Sequence, residues 1–214
     1  KSKMIMESKL LERLWTELSL RYDDNEERIN SHWQEITKCY QADNRYYHNL
    51  NHLLQMVNLA LDYQGKLKEA DLVLYSIFYH DIIYNAKSGR NEERSAELAK
   101  LRLSDSQLSF EKITAIQAQI MATKQHLKSD DSDTNYLLDF DLAILGSGRK
   151  DYEEYCIAIR KEYAVYPNFL YRKGRKKLIK HFLNQEYIYL SEEAQDRFED
   201  QARMNLKYEL KKLA

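Results

Sequence analysis

Residues 70–84 read Ala70-Asp71-Leu72-Val73-Leu74-Tyr75-Ser76-Ile77-Phe78-Tyr79-His80-Asp81-Ile82-Ile83-Tyr84. Apolar side chains fall on every side at helical spacing, which predicts a helix over about 69–83 buried at the centre of its domain. A histidine and an aspartate stand within it. Burying a carboxylate is costly unless a cation meets it, and this stretch contains no Lys or Arg. Either a His–Asp hydrogen bond within the core or a metal ion shared by both would satisfy the pair. The dipeptide alone favours the first.

The same periodicity extends outward in both directions. The chain has 214 residues, with one Pro and five Gly. Breakers are too scarce for a β-rich or α/β fold and favour long helices. Apolar spacings of three and four predict helices over 4–21 (Leu10, Leu11, Leu14, Trp15, Leu18), 26–41, 49–64, 91–103, 109–126, 133–146, 149–164, 168–185 and 191–212. Ser191 before Glu192 and Glu193 reads as a helix start, and Gly65, Gly89 and Gly146 fall near helix ends. The expectation is an all-α chain folded as a single domain over 1–214. Its seventeen Tyr against six Phe read mainly as amphipathic helix packing.

Two further helices carry polar residues among apolar ones. In the third, Leu50, Leu53, Leu54, Val57 and Leu61 form one stripe. His48 and His52 lie together on roughly the opposite side, with Asn51, Asn58 and Asp62 on a wet flank. In the seventh, Asp139 and Asp141 are about 200° apart, so only one can reach a shared site. Asp141 shares its side with Leu137, Leu138, Ile144 and Leu145 and is expected to be the buried one, with Asp139 outside the ligand set or capping a helix. One His, one His-Asp pair and one Asp on three apolar helices suggest a common cation. Nitrogen and oxygen donors without thiolates suit Mn, Fe, Ni, Mg or Zn, without choosing among them.

This order of motifs resembles the HD superfamily of metal-dependent phosphohydrolases. Asn51-His52-Leu53-Leu54-Gln55-Met56-Val57 resembles the first ligand helix of bacterial HD nucleotidases, Phe78-Tyr79-His80-Asp81-Ile82 the His-Asp signature, and Asp139-Phe140-Asp141-Leu142 the last motif. His52 and His80 stand 28 positions apart, and Asp81 and Asp141 stand 60 apart. The matched region covers about 44–146, with a helical extension over about 149–212. Tyr47-His48-Asn49-x-x-His52 is also similar to a motif of cyclic-nucleotide phosphodiesterases, which share that core. The chain as a whole looks most like a small bacterial group of predicted HD hydrolases, through Gly89-Arg90-Asn91-Glu92-Glu93-Arg94-Ser95-Ala96, Ala164-Val165-Tyr166-Pro167 and Ala202-Arg203-Met204-Asn205-Leu206.

The resemblance implies an HD-type helical bundle with additional C-terminal helices. It implies a divalent metal on His52, His80, Asp81 and Asp141, His48 as a general acid, and hydrolysis of a phosphate ester, a nucleotide or another small phosphorylated metabolite. Glu93 and His126 match positions often polar in such sites, and Lys124, Arg94 and Arg175 are candidates for phosphate charge. For each of these five a solvent-facing role is the default. The alternative is an HD module that binds metal and nucleotide to regulate a partner, and a third reading is a helical protein whose His and Asp only bond within the core. Thirty-three basic against 34 acidic residues give no field drawing the chain to nucleic acid or lipid. No apolar stretch is long enough to span a bilayer. Cys39 and Cys156 belong to no paired motif, which points to a reduced, cytoplasmic setting. Oligomerisation is left open.

Overall fold

The computed structural model describes the backbone of residues 2–213 and the side chains of residues 6–213, and every regular element among them is helical. No described helix is long and apolar enough to cross a membrane. The chain divides into two compact units, one ending at Leu127 and the other beginning at Lys128. Three of the four expected ligands, His52, His80 and Asp81, belong to the first unit, and Asp141 belongs to the second.

The first unit contains α1 (Ser2–Ser19), α2 (Glu26–Tyr40), α3 (Leu50–Asp62), α4 (Ala70–Tyr79), α5 (Asn91–Leu103) and α6 (Phe110–Ala122). Helix α4 packs against α3, α5 and α6, while α1 packs against α2 and α3. The apolar run has its expected effect, since Leu72, Val73, Tyr75, Ser76, Ile77, Phe78 and Tyr79 are all buried. Trp15 of α1 meets this face edge-on, its ring 5.8 Å from Tyr75, 5.2 Å from Phe78 and 5.9 Å from Tyr79. Its indole N–H donates to the Ile29 carbonyl at 3.0 Å, so the ring buries its apolar body without stranding its donor. Ser76, the one serine on α4, donates to Gln119 of α6 at 2.7 Å.

Side-chain caps mark several starts. Asn25, Asn49 and Ser109 each accept from a backbone N–H in the first turn of α2, α3 and α6. The described glycines do not terminate helices through left-handed backbone, since none has positive φ; His126, just past α6, does, at φ 51°. On α3 the wet flank of Asn51, Asn58 and Asp62 is exposed as expected, but Leu61 is exposed too. The buried face includes Met56 and Ala60 beside His52 instead.

Helix α4 stops at Tyr79, four residues short of the sequence expectation, and His80 is its C-cap. The helical pattern is displaced by side chains from elsewhere. Arg45 takes the carbonyls of Asp81 at 2.6 Å and Ile82 at 2.8 Å. The Asp81 N–H donates to the Tyr40 hydroxyl at 3.2 Å, and the Ile83 N–H to Ser95 at 3.1 Å. Backbone groups that a helix would pair internally are satisfied by these partners, so the chain can turn away while still buried.

The second unit contains α7 (Ser132–Leu142), a 3-10 turn over Ala143–Gly146, α8 (Arg149–Glu162), α9 (Asn168–Asn184) and α10 (Glu192–Lys212). Asp131 and Ser191 cap α7 and α10. Leu145, Tyr152, Ile179, Phe182, Tyr189, Ala202 and Leu206 form its core. The 3-10 turn lies directly on α10. A Cβ on Gly146 would come within 2.6 Å of Phe198 Cβ, 2.7 Å of its carbonyl oxygen and 2.9 Å of its Cα. Backbone atoms cannot rotate aside, so Gly146→Ala is expected to cost about 1–3 kcal/mol, towards the upper end. That corresponds to a melting temperature lower by roughly 5–10 °C for a chain of this size. A variant that melts with the wild type in a thermal scan would refute the close approach.

Candidate metal centre

His52, His80 and Asp81 converge, each offering a ligand atom, and these atoms all lie within 4.8 Å of one another. His52 comes from α3 and His80 and Asp81 from the end of α4, two helices in direct contact. His52 and His80 are only 2% and 1% exposed, their rings are 5.4 Å apart, and both Nε2 atoms are sealed from solvent. His80 Nε2 lies 3.4 Å from Asp81 Oδ2, and His48 Nε2 lies 3.9 Å from the same oxygen. The Asp81 and His48 side chains keep 14% and 19% exposure. Two buried imidazoles therefore form the floor of the cluster, and Asp81 and His48 stand at its mouth.

Hydrogen bonding fixes the chemistry of one donor. His80 Nδ1 is 2.8 Å from the Ile77 carbonyl. A carbonyl only accepts, so Nδ1 carries the proton, and in the neutral form of the ring the lone pair is on Nε2, the nitrogen within the cluster. Two imidazole nitrogens and one carboxylate oxygen fit a divalent ion of intermediate hardness and exclude nothing between Mn and Zn.

Tyrosines hold the remaining rings. Tyr47 lies 4.8 Å from His52 and 5.0 Å, edge-on, from His48. Tyr84 lies 4.6 Å from His48 at an interplanar angle of 32°. His48 is in the turn before α3, not on the helix, yet its ring is 5.7 Å from that of His52. Arg45, buried at 8% exposure, spans the site's edge. Neither Arg45 nor Tyr84 stood out in the sequence, where an Arg after Asp43-Asn44 reads as loop surface. The available signal was the aromatic pair Tyr46-Tyr47 that follows it.

The acidic pair of α7 reverses the expectation. Asp139 is the buried one, at 1% exposure, and Asp141 is half-buried. Asp139 accepts from the N–H groups of Leu190 at 2.7 Å and Ser191 at 2.8 Å, and from the Ser191 hydroxyl at 2.5 Å. Every residue of α7 from Tyr136 to Phe140 is buried, so the helix has no single buried stripe that could rank the two acids; what buries Asp139 is the entry of α10, about fifty positions on. Asp139 thus braces the segment that leads into α10, whose cap is Ser191.

The five outlying candidates are placed as follows. Lys124 pairs with Glu93 and also donates to the Gly89 carbonyl at 2.8 Å. The bond from Lys124 holds the Glu93 carboxyl below the usual carboxylate range. Arg94 is exposed, and His126 is half-buried. Arg175 does not face solvent as a phosphate contact would. It is 6% exposed and gives Nε to Glu209 Oε1 at 2.8 Å, a second nitrogen to Oε2 at 3.0 Å and a third to the Tyr155 hydroxyl at 3.1 Å. All three of its nitrogens thus donate within the core of the second unit.

No family model, curated protein or solved structure matches this chain.

Proposed function

We propose that this chain is a metal-dependent phosphohydrolase of the HD type, acting on a nucleotide or another small phosphate ester in the reducing setting of the cytoplasm. The observation that carries the reading is the convergence of His52, His80 and Asp81 within 4.8 Å, with His48 beside Asp81 at the exposed mouth. A divalent ion held there would supply Lewis acidity to a phosphoryl oxygen and to the attacking water. His52 and His80 hold their lone pairs in a dry floor, where electrostatic interactions are stronger than in water. His48, ordered between Tyr47 and Tyr84, would give its Nε2 proton to the leaving oxygen.

The test is a screen of nucleotides and simple phosphoesters against Mn, Fe, Ni, Mg and Zn, read as phosphate release. At least one pair is expected to turn over. His48→Gln is expected to lower kcat by about 10²–10⁴-fold and leave the metal content at the wild-type value. Full activity in that variant moves the acid role to another residue. Tight nucleotide binding with no turnover on any metal replaces hydrolysis by a regulatory role.

A further inference from the structure

Arg45 is bonded to both segments that carry the cluster. One guanidinium nitrogen donates to the His48 carbonyl at 3.1 Å and to the Asp81 carbonyl at 2.6 Å; another donates to the Ile82 carbonyl at 2.8 Å. The guanidinium also lies 4.8 Å from the ring centre of Tyr40 and 5.4 Å from that of Tyr84. Tyr84 in turn stacks on His48, and Tyr40 accepts the Asp81 N–H. A buried cation is expensive unless dipoles and π faces surround it, and here each of them belongs to, or touches, a residue of the cluster. The planar fork suits three divergent carbonyls, which a single ammonium cannot reach together.

We propose that Arg45 is a positioning residue for the His52–His80–Asp81 centre: by tying the turn before α3 to the turn after α4, it sets how far Asp81 stands from the two histidines and from His48. The inference rests on the metal centre proposed above. Such outer partners work by holding donors at the metal's bonding distance, and losing one typically costs 10–100-fold in metal affinity. The sequence pattern hides this role, because two of the three carbonyls that Arg45 reaches are 36 and 37 positions away.

The experiment is a Co2+ titration of the full chain after stripping with chelator, following the visible absorption bands that report coordination geometry. Wild type, Arg45→Met and Arg45→Lys are compared, with Ile29→Ala as a control that lowers stability without touching these bonds. Arg45→Met is expected to weaken Co2+ binding about 10–100-fold and to alter the bands. Arg45→Lys should lose less, and Ile29→Ala should keep wild-type affinity and spectrum despite its lower melting temperature. Wild-type affinity and bands in a folded Arg45→Met overturn the proposal, and so do wild-type values in Arg45→Lys where the Met variant fails to fold. A wild-type chain that takes up no Co2+ refutes the metal centre itself, a result separable from the first by the wild-type titration alone.

Discussion

Asp81→Asn is expected to abolish divalent-metal uptake and to lower phosphate release by more than about 100-fold, beyond what losing an outer hydrogen-bond partner does. Asp81 is the one anionic donor in a group whose other members are imidazoles. An amide of the same shape keeps the volume and loses the charge. The fold should tolerate the change, because Tyr40 and Arg45 hold this turn by its backbone. The measurement is metal content by elemental analysis together with thermal melts with and without Mn2+. An ion binding only the native state at 100 times its Kd stabilises by about 2.7 kcal/mol. The wild type should therefore melt higher with metal, and Asp81→Asn should not. Stoichiometric metal and full turnover in Asp81→Asn would sink the proposed centre.

Glu209→Gln is expected to be the most damaging conservative change in the second unit, at about 3–5 kcal/mol. Glu209 and Arg175 side chains are 9% and 5% exposed, and the carboxylate accepts from Arg175 through both oxygens and from the Tyr152 hydroxyl as well. Removing the charge strands a buried guanidinium. Replacing both, as Arg175→Met with Glu209→Leu, should recover much of the loss, since an apolar pair leaves nothing to solvate. Chemical denaturation of the wild type and the two variants checks this, and a double variant no better than the single refutes it. The same pair sets an acid limit. Burial alone would raise the Glu209 pKa, but the hydrogen bonds and charge of Arg175, with Tyr152, hold it below the usual range. A carboxyl depressed in the folded state stabilises fully above its unfolded value of about 4.3 and loses that stabilisation as pH falls through the folded one. The wild type should therefore lose stability in that window, and Glu209→Gln should lose less of it.

Helices were legible in this sequence because their signal is local. The apolar spacing of Leu11, Trp15 and Leu18, or of Ile29, Trp33 and Ile36, needs no knowledge of what each face meets, and all six are buried. The convergence of His52 with His80 and Asp81 was legible for a related reason: polar groups in apolar runs have few ways to be satisfied. What failed was decided at long range. Helix α4 ends early because Arg45 and Tyr40 compete for its backbone. Asp139 is buried because it receives the start of α10. Arg175 looks like one of a run of basic residues on α9, yet its partner Glu209 lies 34 positions on. Glu93 stood out as a polar site position and Lys124 as a candidate for phosphate charge, but nothing in the sequence around either says that they pair.

The early stop of α4 also has an electrical consequence. Aligned peptide dipoles leave a helix with about half a negative charge at its C-terminal end, and that end is where His80 caps α4. The partial charge favours a cation there, typically by about 0.3–1 kcal/mol, and opposes a bare phosphate. The backbone thus adds its own preference for a positive ion over a bare anion at the end of α4 where His80 stands.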